Sequence, residues 1–388
     1  MKILLACQQS PHVYPIPAYR FWRTYFVEGL REAGHEVIEV PGADWARGLL
    51  PLAARELDRW RDEIWSRTLA LAQATPALDL FLGYLYPQQI EPAAVSSLRR
   101  GGVPAVNFFC DNVREYRRLP AAFAPFDLHW VPEFDALPLY AARGWRTVFA
   151  PMPCWVPPAR RQVTDRDENH LAFIGRRDAL RAGLLASVAR SGLPLAIHGA
   201  GWSGAEASAS NSPVRPAWSA RFSDWADFVR RQGVGRAWRR LRSRRGRDVA
   251  EAAFDFDPWW RPLPGDDAYA DILARSAVSL GINRYPGFDG PGRSPPTYSR
   301  LRDIEAPMLG ACYLTERAPG LERLYDLSRE IETYGDADEL IAKARALLHD
   351  PARRRGLRVA GQKRALREHS VGQSLARIAT ALGQPART

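Results

Sequence analysis

The amino-acid sequence predicts an α/β protein of two domains, each built around a parallel, doubly wound sheet. Short apolar runs typical of strands alternate with stretches of helical periodicity along most of the 388 residues. The alternation stops once, in the Pro-rich segment PMPCWVPPARRQVTDRDEN (151–169), and then starts again. Because a chain of this length exceeds one ordinary domain, two domains of about 150–200 residues are expected.

The first domain is predicted to span residues 1–155 and to open on the strand KILLAC. A Pro-rich loop and the helical pattern YRFWRTYFVEGLREAG follow; Gly34 ends the helix, and a second strand starts at Val37. Further apolar runs indicate four more strands, in the segments 78–86, 103–109, 126–132 and 146–151.

The second domain is predicted to span residues 171–370, after a linker at 156–170. Strands are indicated by LAFIG and by LPLAIHGAGW, and a later helix and strand share YADILARSAVSLGIN. CYLT and EIETYG indicate two further strands, and helices from DADELIAKARALLHD onwards complete the domain. A final helix within 371–388 is expected to pack back on the first domain. The chain is therefore expected to form two Rossmann-like halves.

The net charge of +11 is concentrated in one segment, which makes nucleic-acid binding an unfavoured interpretation. Residues 215–247 contain eleven arginines and two aspartates, a net of +9, so the rest of the chain carries about +2. The segment lies in a predicted insertion around 203–263. An apolar helical stripe runs through it, formed by Trp218, Phe222, Trp225 and Val229. Such a segment suits an anionic membrane surface or an acidic acceptor. The alternative is a helical flap on the second domain with solvated arginines.

Missing features exclude several classes of protein. The N-terminus lacks the apolar length and cleavage site of a signal peptide, and no run of about 18 apolar residues occurs. The four cysteines lack metal-ligand spacing, and HExxH, paired CxxC and P-loop motifs are absent. Asp255 and Asp257 in FDFDPWW are a weak metal candidate and more typical of a loop. We therefore expect a cytoplasmic protein without metal or cofactor, with membrane association only through the basic segment.

The charged segment SRLRDIEAPMLGACYLTE (299–316) is the first candidate site. In open α/β sheets, ligands bind at the carboxyl ends of the strands, and two facing halves form a cleft there. Glu305 is suited to accept hydrogen bonds from both hydroxyls of a ribose. Arg300 and Arg302 are suited to a diphosphate whose negative charge grows as it leaves. The alternative is an ordinary Arg302–Glu305 pair on a solvated helix face.

The stretch FIGRRDALR (173–181) is a candidate phosphate site. A predicted strand ends at Gly175, and Arg176 and Arg181 follow at the start of a helix. The free backbone N–H groups and the positive dipole end of such a helix suit a phosphate. An ordinary βα turn is the alternative.

Two other predicted strand ends contribute to the donor-binding set. IHGAGW contributes Gly199 and Gly201, which allow a close approach of the backbone. The strand that ends in SLGIN carries Asn283, and Arg284 follows it. All four residues are predicted to lie at the carboxyl edge of the second sheet.

Two residues of the first domain are candidates for catalysis. Asp111 follows the apolar run NFFC and could position a hydroxyl or act as a base, although an N-cap is the favoured interpretation. His12 lies in the loop after the first strand and could be a general base, although a surface-loop histidine is the favoured interpretation.

The C-terminal half of the chain resembles bacterial glycosyltransferases of the spore-maturation-protein type. The resemblance is carried by RLRDIEAPMLG, from Arg300 to Gly310, and by the later segments CYLTE, EIETYGDADEL and GQKRALREHS. Those proteins have the GT-B fold and are related to the large retaining group of nucleotide-sugar transferases, glycosyl transferases group 1. The resemblance is specific around 299–316 and 361–370 and looser elsewhere. It implies that Glu305 binds ribose and that Arg300 and Arg302 bind a donor diphosphate. Gly310 matches the glycine of the family pattern and is assigned to the same donor-binding set.

Two departures from the family pattern stand out. Thr297 occupies the position, eight residues before Glu305, where many retaining relatives have a sugar-contacting glutamate. Ile304 replaces the usual aromatic residue. The first departure puts any family-derived contact with the donor sugar in doubt.

The resemblance implies a glycosyltransferase. Its donor would be a nucleotide-diphosphate sugar, with a UDP-sugar as the expected one, and its acceptor a hydroxyl of a glycan, lipid-linked intermediate, protein or natural product. Because arginines and helix N-termini would stabilise the charge of the leaving group, no metal is expected to be required. The alternatives are a nucleotide-sugar epimerase on the same fold and a non-catalytic protein that binds polyanions or membranes.

Overall fold

The structure is a computed structural model that describes residues 1–14, 16, 20–164, 167–203, 254–286 and 295–383. The chain divides into two compact units. Met1–Trp155 and Arg367–Thr388 form the first unit, and Val156–Leu366 form the second.

The described strands and helices alternate along both units. The strands are β1 (Lys2–Cys7), β2 (Glu36–Ile38), β3 (Leu80–Tyr84), β4 (Ala105–Phe108), β5 (Leu128–Val131), β6 (Thr147–Phe149), β7 (Glu168–Ile174), β8 (Leu195–His198), β9 (Trp260–Arg261), β10 (Ser276–Gly281), β11 (Tyr313–Glu316) and β12 (Glu332–Tyr334). The α-helices are α1 (Arg20–Glu32), α2 (Ala54–Ala74), α3 (Pro92–Arg100), α4 (Asn112–Glu115), α5 (Leu137–Ala141), α6 (Ala179–Arg190), α7 (Asp266–Arg275), α8 (Arg302–Met308), α9 (Leu321–Leu324), α10 (Ala337–His349), α11 (Pro351–Glu368) and α12 (Val371–Leu382). Short 3₁₀ helices occur at Ala46–Leu49, Pro87–Gln89, Ala121–Phe123, Phe134–Ala136 and Pro158–Arg160.

The first unit is built on a six-stranded sheet in the order β2-β1-β3-β4-β5-β6. All its pairings are parallel. Strands β3, β4 and β5 are buried along their whole length, which explains their continuous apolar runs. The strand order reverses between β1 and β3, and the carboxyl ends of these strands mark the switch point of the unit.

The last helix, α12, packs against α1 in the first unit. The two helices approach closely because glycine occupies the contact positions. A Cβ atom at Gly29 would lie 2.6 Å from Cγ2 of Val371, and one at Gly372 would lie 2.8 Å from Cβ of Ala33. The end of the chain is thus part of the core of the first unit.

The second unit is also built on a six-stranded parallel sheet, in the order β12-β11-β10-β7-β8-β9. The strand order reverses between β7 and β10, so the carboxyl ends of these two strands border the switch point. Fully buried apolar residues fill the core on this sheet, among them Leu171, Leu185, Ile197, Leu314 and Leu340. The predicted fold class, two parallel α/β domains of the Rossmann type, is confirmed.

The predicted basic segment 215–247 and its apolar stripe, from Trp218 to Val229, lie outside the described residues. Their contact with a membrane or an acidic acceptor stays a prediction. The end of the predicted insertion is described: β9 (Trp260–Arg261) forms an edge of the second sheet. Across the described ranges, no helix combines the length and apolar character that crossing a membrane requires.

Candidate functional site

The turns after β7 and β8 meet at the carboxyl edge of the second sheet. The amide of Gly175 donates to the carbonyl oxygen of His198 at 2.8 Å, which extends the pairing beyond the strand ends. Gly199 has a φ of +139°, and a Cβ there would lie 2.3 Å from the carbonyl oxygen of Gly175. The indole of Trp202 donates to the same oxygen at 2.7 Å. Glycine at position 199 is therefore required for this close approach.

Three arginines converge on the same edge. Arg181, in the first turn of α6, donates from Nη1 to the carbonyl oxygen of Arg176 at 2.9 Å and lies 3.2 Å from the carboxylate of Asp178. Arg302 begins α8 and donates to the carbonyl oxygen at the end of β7. The pKa of the Arg181 guanidinium is lowered, chiefly by burial and further by the positive charges of Arg300 and Arg302. The three guanidinium groups therefore lie near enough to one another for their charges to interact, and Asp178 opposes this effect at Arg181.

Arg300 precedes α8 and is held by backbone and ring contacts. Its Nη2 donates to the carbonyl oxygen of Arg284 at 3.0 Å, and its guanidinium lies 4.6 Å from the ring centroid of Tyr298. Its Nε is buried and has no hydrogen-bond partner among the described residues. A buried cationic group with an unused donor suits an anionic ligand.

Glu305 lies in α8 and is only 5% exposed. The hydroxyl of Tyr269, in α7, donates to its Oε2. The guanidinium of Arg302 lies 5.5 Å from the ring centroid of the same tyrosine. Tyr269 thereby links the carboxylate of α8 to the arginine that contacts the end of β7.

Asn283 is the centre of a buried network at the end of β10. Its Nδ2 lies within hydrogen-bonding distance of Asp303 Oδ2, at 3.1 Å, and of the carbonyl oxygen of Glu316, at 2.9 Å. Tyr313 and Thr315 in β11 donate to Oδ1 of Asp303 at 2.8 and 2.9 Å. Burial raises the pKa of Asp303, while these hydrogen bonds act in the opposite direction. Asp303 therefore anchors the start of α8 to β10 and β11.

Arg284 forms a nearly buried ion pair with Glu316, at the end of β11. Its Nε and Nη2 both donate to Oε1 of Glu316, at 2.9 and 2.6 Å. The backbone amides of Asn283 and Arg284 donate to Oε2 at 3.1 and 2.9 Å. Asp303 and Glu316 were not identified from the sequence as part of the site. Each carboxylate adjoins an apolar run, and the buried hydrogen-bond network explains why a charged residue stands there.

The other sequence-predicted donor residues lie in different places. Gly201 has a φ of +83° in the turn after β8, and the side chain of Arg176 is exposed after β7. Gly310, with a φ of +74°, follows α8 and precedes β11, and a Cβ there would lie 3.1 Å from Nε2 of Gln362. The structure therefore does not bring Gly310 to the carboxyl edge. Asp255 accepts the amide of Asp257 at 2.9 Å in a loop.

Asp111 lies at the carboxyl edge of the first sheet, three residues after β4. It has a left-handed backbone, with φ 68° and ψ 19°, which is uncommon for a residue other than glycine. It occupies the N-cap position of α4, but its side chain makes no capping hydrogen bond. Arg114 lies 3.7 Å from its Oδ1. The favoured N-cap interpretation is thus correct for the position and wrong for the side-chain bond.

Glu133, two residues after β5, was not identified from the sequence. It is 1% exposed, and its Oε2 accepts the amide of Val113 at 3.3 Å. Burial, and secondarily the charge of Asp111, raise the pKa of Glu133 to about 8. The signal in the sequence that could have identified Glu133 is its place directly after the apolar run LHWVP, at the end of a predicted strand.

His12 lies on an exposed loop after β1, at the same edge of the first sheet. Its amide donates to the hydroxyl of Ser10 at 2.9 Å, and its ring centroid lies 6.1 Å from that of Tyr14. Tyr14 donates to Asp44 at 2.6 Å. The loop is therefore tied to a neighbouring segment while the histidine ring faces solvent.

A family model described as glycosyl transferase-like matches residues 176–380, more than half of the chain. A search of curated protein sequences gives no match. Among solved structures, the chain is similar to sucrose-phosphate synthase from Thermosynechococcus elongatus, with 13% identity, a TM-score of 0.55 and 98% of each chain covered. It is also similar to Anabaena HepE in complex with UDP and glucose, with 11% identity, a TM-score of 0.56 and 99% of each chain covered.

AviGT4, a glycosyltransferase involved in avilamycin A biosynthesis, is a further structural neighbour, with 17% identity, a TM-score of 0.51 and 98% of each chain covered. At these identities the likenesses show the fold alone, which is the GT-B fold with its two Rossmann-like domains. The family match covers most of the second unit, including all three arginines of the site. The chain belongs to the glycosyl transferase-like family and is a glycosyltransferase of the GT-B fold.

Proposed function

We propose that the protein transfers a sugar from a nucleotide-diphosphate donor, with UDP as the nucleotide, to a hydroxyl group of an acceptor. The observation that carries the proposal is the convergence of Arg181, Arg300 and Arg302 at the carboxyl ends of β7 and β10. A diphosphate is the group that would neutralise these charges at a strand-order switch point. HepE, at 12% identity, is recorded in complex with UDP-glucose, which supports the choice of UDP.

The donor would use four sets of contacts. The diphosphate would lie against the three arginines and the backbone N–H groups after Gly175, where Gly199 and Gly201 leave room for a close approach. The ribose hydroxyls would bind Glu305. Asn283 and Arg284 would shape the wall of the site, held by Asp303 and Glu316.

In the reaction, the bond between the anomeric carbon and the diphosphate oxygen breaks, and a bond from the acceptor oxygen to that carbon forms. The acceptor hydroxyl loses its proton to a base, for which Asp111 and His12 are the candidates. The leaving diphosphate gains charge, and each hydrogen bond from a guanidinium would stabilise it by about 1.5–3 kcal/mol. Arginine would take the part that a metal ion plays in other transferases, so the proposal includes metal independence.

The proposed subtype is the spore-maturation-protein type, and a cytoplasmic location belongs to the same proposal. The RLRDIEAPMLG run supports this subtype. Thr297, where many retaining relatives have a glutamate, lies at a bridge with Arg284. Contacts to the donor sugar would therefore come from other residues than in those relatives.

Thermal shifts with UDP, GDP, dTDP, CDP and their common sugars test the donor site. A ligand at 100 times its Kd adds about 2.7 kcal/mol to the stability of the folded state. We expect UDP or a UDP-sugar to raise the Tm of the wild type, and Arg181→Met to weaken this binding about 10- to 150-fold. Glu305→Ala should also weaken it. Arg190→Met, at the other end of α6, is the matched control and should bind as the wild type does.

Two outcomes would contradict the proposal. If no nucleotide shifts the Tm of the folded protein, the donor site is wrong, and steep salt-dependent binding of polyanions would then favour the binding-protein alternative. If a UDP-sugar binds but incubation without acceptor yields an isomeric sugar, the protein is an epimerase.

A further inference from the structure

The turn that carries Asp111 is held by hydrogen bonds of the two residues that follow it, Asn112 and Val113. Asn112 is fully buried; its Nδ2 donates to the carbonyl oxygen of Phe109 at 2.8 Å, and its Oδ1 accepts the hydroxyl of Tyr140 at 2.8 Å. The amide of the next residue, Val113, donates to Oε2 of Glu133 at 3.3 Å. Asp111 lies between Phe109 and Asn112, which are joined by the first of these hydrogen bonds, and its φ is positive.

Glu133 is the least expected member of this arrangement. It is 1% exposed, and its Oε1 is buried with no hydrogen-bond partner among the described residues. A buried carboxyl oxygen without a hydrogen bond costs free energy. Because Glu133 lies beside the turn that carries Asp111, a functional role for its titratable side chain would explain why it is buried there.

We propose that Glu133 is a positioning residue that fixes the turn 109–113 and thereby the orientation in which Asp111 meets the acceptor hydroxyl. The proposal rests on the proposed function only in the role given to Asp111. Glu133 touches neither donor nor acceptor in this role. It acts through the backbone of Val113 and the buried amide of Asn112.

The charge state of Glu133 makes this role dependent on pH. Its pKa of about 8 means that the carboxyl is protonated at neutral pH and ionises just above it. Burial raises the pKa of Cys110 and Tyr140 as well, so these two neighbours stay neutral in that range. The charges that face Glu133 are then the carboxylate of Asp111 and, beyond it, the exposed guanidinium of Arg114. Ionised Glu133 would place a second negative charge in the buried turn and loosen it.

Hydrogen exchange of the full chain tests the link between Glu133 and the turn. Opening of the turn hydrates Glu133 and restores its ordinary pKa, so opening releases a proton below about pH 8. Protection of 109–113, relative to intrinsic rates, should therefore fall about tenfold per pH unit between about pH 6 and pH 8 and level off above. In Glu133→Gln, which cannot ionise, protection should not depend on pH. Asp135→Asn, an exposed carboxylate two residues away, is the matched control and should behave as the wild type does.

The second readout is UDP release from UDP-glucose with water as the acceptor. In the wild type, the rate should fall about tenfold per pH unit above about pH 8, whereas Glu133→Gln should keep its rate and both should bind UDP equally. The proposal is overturned if the turn of the wild type shows the same pH dependence as β1 in the same experiment, a comparison that needs no variant to fold. It is also overturned if the wild type and Glu133→Gln share one pH profile of UDP release. If UDP fails to bind, the proposed function fails, while hydrogen exchange still decides the role of Glu133 in the turn.

Discussion

Gly199→Ala is expected to destabilise the second unit and to weaken nucleotide binding. The turn after β8 passes so close to the turn after β7 that a Cβ at this position would lie 2.3 Å from the carbonyl oxygen of Gly175 and 2.8 Å from its carbonyl carbon. Both atoms belong to the backbone, so no side-chain rotation relieves the contact. One of the two turns must move, and each is part of the proposed diphosphate site.

The magnitude follows from three contributions. An L-residue at a φ of +139° is strained by about 1–3 kcal/mol. Displacement of Gly175 weakens the bond from Trp202, worth about 1 kcal/mol, and the clash adds about 1–3 kcal/mol. Together these contributions predict a loss of about 3–7 kcal/mol in the free energy of unfolding. Gly192→Ala separates strain from clash, because Gly192 also has a positive φ, of +74°, but nothing lies within 4 Å of a Cβ there.

Urea unfolding of the two variants and calorimetric titration with UDP measure both effects. Gly192→Ala should lose about 1 kcal/mol and bind UDP as the wild type does. Gly199→Ala should lose several times more and bind UDP at least tenfold more weakly. Equal losses in the two variants, or unchanged UDP affinity in Gly199→Ala, would refute the claim that the two turns form one site.

Other variants test the buried carboxylates and the role of metal. Glu133→Gln should remove a pH dependence of the free energy of unfolding. Because the folded-state pKa of Glu133, about 8, exceeds the ordinary value of 4.5, the wild type should lose up to about 5 kcal/mol of stability as the pH rises between these values. Unfolding measured at several pH values would detect this loss. Asp303→Asn should cost about 2–4 kcal/mol, since its new N–H₂ group faces the donors of Asn283, Tyr313 and Thr315; a loss below 1 kcal/mol would show that the network adjusts. EDTA should leave sugar transfer unchanged, and a loss restored by Mg²⁺ would mean that the arginines do not suffice.

The fold was predictable because most strands are buried on both faces. Runs such as LDLFLGYLY and SAVSLGIN read as strands without any alternation, and β3 and β10 lie inside them, buried throughout. The edge strand β9 gave no such signal. It has only two residues and pairs with β8, which is about 60 residues earlier in the chain. Beside this pairing, the amide of Ile197 in β8 donates to the carbonyl oxygen of Trp259 at 2.8 Å. Pairing of this kind depends on tertiary contacts that a local pattern does not contain.

The candidate site was predictable only in part. Residues that follow a strand, such as Gly175 and Asn283, could be placed at the carboxyl edge from the order of the elements alone. Glu133 follows β5 and Glu316 ends β11, yet each is buried against a partner from another element: Val113 of α4 contacts Glu133, and Arg284, after β10, contacts Glu316. The position of a residue in the sequence therefore predicts that it lies at the carboxyl edge of the sheet. Whether its side chain is a buried anchor or is available to a ligand depends on contacts that only the three-dimensional structure shows.

The charged run beside an apolar run in RLRDIEAPMLG has a physical explanation in α8. Residues two apart on a helix project about 200° apart, so Asp303 and Glu305 point to different neighbours. Asp303 turns to β10 and β11, and Glu305 meets Tyr269 of α7. The two carboxylates of this short helix therefore have different surroundings: Asp303 holds the helix on the sheet, and Glu305 is the residue that would bind the ribose in the proposed function. Asp303→Asn should then lower stability and binding together, whereas Glu305→Gln should lower UDP binding with a smaller loss of stability; the reverse pattern would assign the ribose to Asp303.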